Sequence, residues 1–136
     1  MIFSRILVLI RVHKPDNQIV VIDMKKKKVI ELIHYVISLL AEGKYKEVYD
    51  LDCRKLLSIE EIKDGVEDTD SGLTLTLQPL KELKGVEIYD IEGGNEVYVD
   101  VELWYGGKAS DTTLSISVID NRKDTYDFSI ENIHVL

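Results

Sequence analysis

Asp100 and Glu102 stand two residues apart in the segment EVYVDVELWY, and this is the spacing in the chain that most suggests chemistry. Alternate residues of a strand point to the same face, so the two carboxylates would lie side by side. Such a pair can divide the roles of general acid and base, or bind a cation. A solvated outer strand face explains the spacing more simply, and we expect no catalytic role for either residue.

The remaining reactive side chains lack the neighbours that catalysis requires. Cys53 has no motif that places a base beside it. His13 belongs to the N-terminal segment, His34 lies off the apolar stripe of its predicted helix, and His134 alternates with aliphatic residues. We therefore predict that the chain is not an enzyme.

No set of side chains has the spacing of a metal or cofactor site. The loop with Glu67, Asp68 and Asp70 is acidic but lacks the EF-hand ligand pattern, so a plain surface loop is the simpler interpretation. The chain has no phosphate-cradling glycine loop, no paired-cysteine site and no nucleophile elbow. The prediction is a protein without a bound metal or cofactor.

Helical periodicity occupies the first half of the domain. Apolar residues recur at three- and four-residue intervals over 29–41, which predicts one buried helix face. A short second helix is predicted over 44–51. A third begins at Ser58, which can form a capping box with Glu61, and should end near Gly65.

Strand periodicity replaces helical periodicity from residue 73 onward. The predicted strands are LTLTL, VEIYDI, EVYVDVELWY, TTLSISVI and YDFSIENIHVL, with glycine pairs at 93–94 and 106–107 as hairpin turns. This order predicts an α+β fold in which three N-terminal helices pack on an antiparallel meander sheet.

Alternation divides the predicted sheet into two faces. The aliphatic face, which should meet the helices, carries Val97, Val99, Val101, Leu103, Leu114, Ile116 and Val118, and we expect Tyr126, Phe128 and Ile130 to join them. The opposite face carries hydroxyl, acidic and aromatic side chains, and we predict that it mediates association. The interaction residues are Tyr98, Asp100, Glu102, Trp104 and Ser115, flanked by Thr113 and Ser117.

Charge limits the class of partner. The 136 residues carry a net charge of -8, which disfavours nucleic acid and anionic membranes because both are polyanions. A basic protein partner, or self-association as a homodimer, is expected instead. The single cysteine cannot form an internal disulfide, so a cytoplasmic location is expected.

The first residues differ from the rest in charge and pattern. Residues 1–28 contain seven Lys or Arg and two Asp or Glu, against ten and twenty-three in the remainder. The run MIFSRILVLIRVH suggests a secretory signal, but Arg11 interrupts it, no cleavage site follows, and it is too short to span a bilayer. We interpret 1–23 as an appendage to a domain over 24–136. A hairpin, or a natural start at Met24, remain alternatives.

Several phrases carry a resemblance to known proteins. The order of elements and the phrase VISLLAEGKYKEVYDL resemble the nuclear transport factor 2-like superfamily, which includes SnoaL-like enzymes and has a cystatin-like cone. VDVELW, SDTTLSISV and the closing IENIHVL resemble a bacterial domain family of unknown function within it, over about residues 28–136. The resemblance implies a curved sheet around the helices and a pocket at the wide end of the cone.

The superfamily implies no single activity, because its members include isomerases, dehydratases, ligand binders, dimerisation modules and immunity proteins. Our leading hypothesis is an acidic, non-catalytic interaction protein, with immunity against a basic toxin as one specific form. The alternatives are a small-molecule binder or SnoaL-like isomerase or dehydratase that uses the cone interior, and a structural homodimer.

Overall fold

Three helices precede five antiparallel strands in the computed structural model, which describes residues 26–67, 72–77, 86–90, 95–121 and 125–135. The helices are α1 (Lys26–Ala41), α2 (Tyr45–Leu51) and α3 (Ile59–Val66). The strands are β1 (Leu75–Thr76), β2 (Val86–Asp90), β3 (Glu96–Tyr105), β4 (Lys108–Asp120) and β5 (Tyr126–Val135). The predicted α+β class, with helices before the sheet, is confirmed.

The start of α3 follows the sequence signal for a helix cap. The Ser58 Oγ accepts a hydrogen bond of 3.0 Å from the Glu61 N–H, and the Glu61 carboxylate accepts one of 2.9 Å from the Ser58 N–H. Two amide groups that the helix itself cannot satisfy are therefore paired. The predicted capping box is confirmed.

The sheet is a meander that is four strands wide. One edge of β3 pairs with β4. On its other edge, β2 pairs with residues 97–101 and β1 pairs with residues 104–105. β5 pairs with the far edge of β4. At the β3–β4 hairpin, Gly106 and Gly107 have φ of +60° and +82°, which a tight turn of this type requires and side chains disfavour. The predicted turn at 93–94 lies outside the described residues, as does segment 1–23.

The helices cover the aliphatic face of the sheet, as predicted. Alternate residues of β3 from Val97 to Leu103 are at most 1% exposed, and their neighbours in β4 and β5 are buried with them. Tyr126 is half-buried at the margin of this core. Aliphatic side chains from α1 complete the core, and these are Val29, Ile33, Val36, Ile37, Leu39 and Leu40. None of the described helices combines the length and the hydropathy needed to cross a membrane.

A bulge in β5 changes which residues face the helices. Ile116 pairs with Ile130 but the preceding Ser115 pairs with Asn132, so Glu131 is an extra residue in β5. Strict alternation from Ile130 would turn Ile133 away from the core. Because of the bulge, Ile133 packs against the core beside α3.

We expect Gly65→Ala to destabilise the fold by about 1–3 kcal/mol, although alanine is the better helix former by about 1 kcal/mol. A Cβ at Gly65 would lie 2.8 Å from the Cβ of Ile133, so α3 would have to move away from β5. Urea denaturation checks this, with Asp64→Ala as the control because Asp64 is exposed on the same helix. A more stable Gly65→Ala variant would show that α3 can shift at little cost.

Candidate interaction face

The strand register brings the predicted interaction residues onto one face, which we call the polar face. It is built from three rows that run across β3, β4 and β5. The rows are Tyr98–Ser117–Ser129, Asp100–Ser115–Asn132 and Glu102–Thr113–His134. Trp104 follows Glu102 at the next position of β3 on the same face. All five predicted residues, Tyr98, Asp100, Glu102, Trp104 and Ser115, therefore belong to the polar face.

The polar face is less exposed than expected. The prediction of a solvated surface is wrong for Ser115, which is 1% exposed, and for Ser117, which is fully buried. Both lie in β4, which is flanked by β3 and β5, and Ser115 stands between the longer side chains of Asp100 and Asn132. Tyr98 and Trp104, on β3, are half-buried. The face combines buried hydroxyls with partly exposed carboxylates and rings.

The buried hydroxyls hold two carboxylates in place. The Ser115 Oγ donates a hydrogen bond of 2.6 Å to the Asp100 carboxylate, and the Ser117 Oγ donates one of 2.8 Å to the Glu131 carboxylate. A carboxylate that is fixed by a neighbouring donor loses less side-chain entropy when it binds a cation. The predicted pair of Asp100 and Glu102 thus lies on adjacent rows, with Asp100 bound to a serine.

One end of the polar face already holds a guanidinium. Arg54 lies 3.0 Å from the Glu96 carboxylate and 3.4 Å from the Glu131 carboxylate. The hydrogen bond to Glu96 raises the pKa of Arg54, burial opposes this, and the charges of Glu96 and Glu131 add to it. None of these three residues was predicted from the sequence, because no local motif links Arg54 to carboxylates 42 and 77 positions away.

Hydrogen bonds to Asp52 hold the loop that carries Arg54 against the sheet. One oxygen of the buried Asp52 carboxylate accepts hydrogen bonds from the backbone N–H groups of Arg54 and Lys55 at 3.0 and 2.9 Å. The other accepts one of 2.8 Å from the Ile130 N–H in β5. The Cys53 N–H donates to the Phe128 carbonyl at 2.9 Å, so the loop covers part of the outer edge of β5.

The opposite end of the polar face contains polar atoms without partners. We call the group Glu102, Trp104, Thr113 and His134 the Trp104 corner. Three polar atoms are buried in it, and within the part of the chain that the structure describes none of them has a hydrogen-bond partner: the Trp104 Nε1, the Thr113 Oγ1 and the His134 Nδ1. Thr113 pairs with Glu102 on one side and with His134 on the other, whereas Trp104 pairs with Ala109 beyond an irregularity in the β3–β4 register. Buried polar groups without partners are rare in folded proteins, which makes this corner unusual.

The other residues considered for chemistry are dispersed. Burial raises the pKa of the Cys53 thiol; Arg54 opposes this and Asp127 reinforces it, so the thiol is protonated at neutral pH. His34 is half-buried on α1. Of the acidic loop, Glu67 is described and Asp68 and Asp70 lie outside the described residues. Within the described ranges, no three His, Cys, Asp or Glu side chains converge as metal ligands.

A cavity of about 400 Å³ lies between the ends of the helices and β1. Its lining is mostly apolar, with Leu40, Val66 and Leu75 among the residues. The Tyr45 hydroxyl donates a hydrogen bond of 3.1 Å to the Glu67 carboxylate at its margin. Burial, and then this hydrogen bond, raise the pKa of Tyr45 to about 12, so the phenol is a neutral donor at physiological pH.

Comparison with known proteins identifies a family. No curated protein and no solved structure matches the chain. A family model described as a domain of unknown function, DUF7668, matches residues 37–136. The match runs from the last five residues of α1 through the whole sheet and includes every residue of the polar face, so the chain belongs to the DUF7668 family.

Proposed function

We propose that this protein is a non-catalytic interaction protein whose polar face binds a cationic segment of a partner protein. The observation that supports this most directly is Arg54, whose guanidinium lies between Glu96 and Glu131 on that face. The face therefore has carboxylates at a spacing that accepts a guanidinium. A partner's arginine or lysine would meet the same chemistry further along β3.

The charge of the sheet supports the same proposal. β3 and β5 contain no lysine or arginine, and the one lysine of β4, Lys108, stands at the hairpin end. Asp100 and Glu102 thus continue the acidic character of the face from Glu96 along β3. Carboxylates on a protein of net charge -8 speed the approach of a cationic partner and repel acidic competitors.

The buried residues of the polar face suit binding rather than proton transfer. The Asp100 carboxylate accepts a hydrogen bond from Ser115, and the next residue in the same row is Asn132. Half-buried Tyr98 and Trp104 provide apolar contact area of the kind that anchors protein interfaces. As parts of the same proposal, we place the domain in the nuclear transport factor 2-like superfamily and in the cytoplasm, with immunity against a basic toxin as one specific role.

We expect Asp100→Lys to weaken binding of a fluorescently labelled, arginine- and lysine-rich peptide by at least about tenfold, because it puts a like charge at the centre of the face. Asp100→Asn should weaken it by less, since the side chain can still accept from Ser115. Fluorescence anisotropy at several salt concentrations measures both, and circular dichroism verifies the fold.

The matched controls are Asp64→Lys and Asp64→Asn on the exposed side of α3, which change the net charge equally. If they weaken peptide binding as much as the Asp100 variants, the peptide recognises net charge and the proposal fails. If the wild-type chain binds no cationic peptide but sediments as a dimer that Asp100→Lys dissociates, the face is a self-association surface instead.

A further inference from the structure

Among the described residues, the Trp104 corner holds three of the four buried side-chain polar atoms without a hydrogen-bond partner; the fourth, the Ser129 Oγ, lies in the row of Tyr98. Thr113 is 5% exposed, and its hydroxyl has no hydrogen-bond partner. A buried polar atom without a partner destabilises the fold relative to a paired one, because its hydrogen bond to water is lost and not replaced. Three such atoms in one corner lower the stability of the fold, and a bound group could restore it by forming hydrogen bonds with them.

The types of atom define what the bound group must carry. The Trp104 Nε1–H can only donate, so the ligand must present an acceptor such as a carbonyl oxygen. Thr113 can donate or accept, and Glu102 in the same row favours a positive charge. The Trp104 ring is half-buried, and its exposed part offers a surface on which a planar cation can stack.

The spacing suits one residue of an extended peptide. Positions two apart on an ideal strand have Cα atoms about 7 Å apart, and Glu102 and Trp104 are such a pair on β3. An arginine side chain reaches a comparable distance from its own backbone carbonyl. Its guanidinium can therefore meet Glu102 while its carbonyl accepts from the Trp104 indole.

We infer that the Trp104 corner is the anchor site for an arginine residue of the partner, an inference that rests on the proposed function. Arginine fits better than lysine because its planar guanidinium both stacks on tryptophan and binds a carboxylate in a fork. Arg54, whose two terminal nitrogens contact the carboxylates of Glu96 and Glu131, shows that the other end of the same face accepts a guanidinium. Trp104 and His134 are both half-buried with buried ring nitrogens, so a side-chain rotation has to accompany binding of the ligand at these atoms.

The chain has a single tryptophan, so its indole N–H gives one assignable cross-peak in an ¹H–¹⁵N spectrum. Titration with acetyl-Gly-Arg-Gly-amide should move this cross-peak saturably. The peptide with citrulline in place of arginine should bind at least about tenfold more weakly, because citrulline keeps the shape and loses the charge. Glu102→Gln and Thr113→Val should each weaken the arginine peptide by about fivefold or more.

Asp64→Asn is the matched control and should leave the affinity within about twofold, since exposed surface charges contribute little. Equal binding of the citrulline peptide, or unchanged binding to Glu102→Gln, would overturn the anchor site. Backbone shifts confined to the rows of Tyr98 and Asp100, with the indole unmoved, would also overturn it while leaving the proposed function intact. If neither this peptide nor the longer cationic peptide binds, the proposed function fails with it.

Discussion

Asp52→Ala is expected to lower the free energy of unfolding by about 3–5 kcal/mol, because hydrogen bonds to a charged group contribute about 1.5–3 kcal/mol each and are not fully additive. The variant loses all three acceptor contacts at once, to Arg54, Lys55 and Ile130. The bond to the Ile130 N–H is buried, so this donor would be left without a partner. Urea denaturation monitored by circular dichroism measures the loss.

Asp50→Ala is the matched control for this substitution. Asp50 is exposed and pairs with Lys46 one helical turn away, at 2.7 Å. Such surface pairs contribute about 0.3–0.5 kcal/mol, so the control should be nearly neutral. Comparable losses of unfolding free energy in the two variants would show that Asp52 does not hold the loop against β5.

The effect of Asp52 also extends to the polar face. Asp52 fixes the backbone at Arg54, and the Arg54 side chain then reaches Glu96 and Glu131. Asp52→Asn keeps a single carbonyl oxygen. This oxygen can accept hydrogen bonds either from the N–H groups of Arg54 and Lys55 or from the N–H group of Ile130, but not from both sides. We expect a stability between those of the wild type and Asp52→Ala.

Local patterns in the sequence predicted the helices, the strands and the two faces of the sheet. The period of two in EVYVDVELWY places Val97 and Val99 in the core and Tyr98 and Asp100 on the polar face, as the register shows. The capping box at Ser58 was equally visible, because a cap depends on residues three apart. Both are consequences of backbone geometry within a single element.

Contacts between distant segments could not be predicted in the same way. Asp52 binds an amide 78 residues away, and nothing in the sequence around it selects Ile130. The extra residue Glu131 brings a carboxylate beside Arg54, but a bulge depends on how two strands pair. The burial of Ser115 likewise follows from its place between the longer side chains of neighbouring strands.

Thr113→Val is expected to raise the free energy of unfolding by about 1–2 kcal/mol, since it removes a buried hydroxyl without a partner and keeps the shape of the side chain. For a domain of this size, that corresponds to a melting temperature higher by about 3–8 °C. Differential scanning calorimetry of the two chains gives the result directly.

Thr76→Val is the matched control, because its hydroxyl is satisfied. The Thr76 Oγ1 donates to the Trp104 carbonyl at 3.3 Å and accepts from the Gly107 N–H at 3.0 Å. The same change of side chain should therefore lower stability there, by about 1 kcal/mol. If Thr113→Val is destabilising to the same degree, the Thr113 hydroxyl is paired in solution and contributes no unmet hydrogen bond to the corner. If it stabilises the protein and weakens the arginine peptide, Thr113 is a residue kept for binding at the expense of stability, as expected at a functional site.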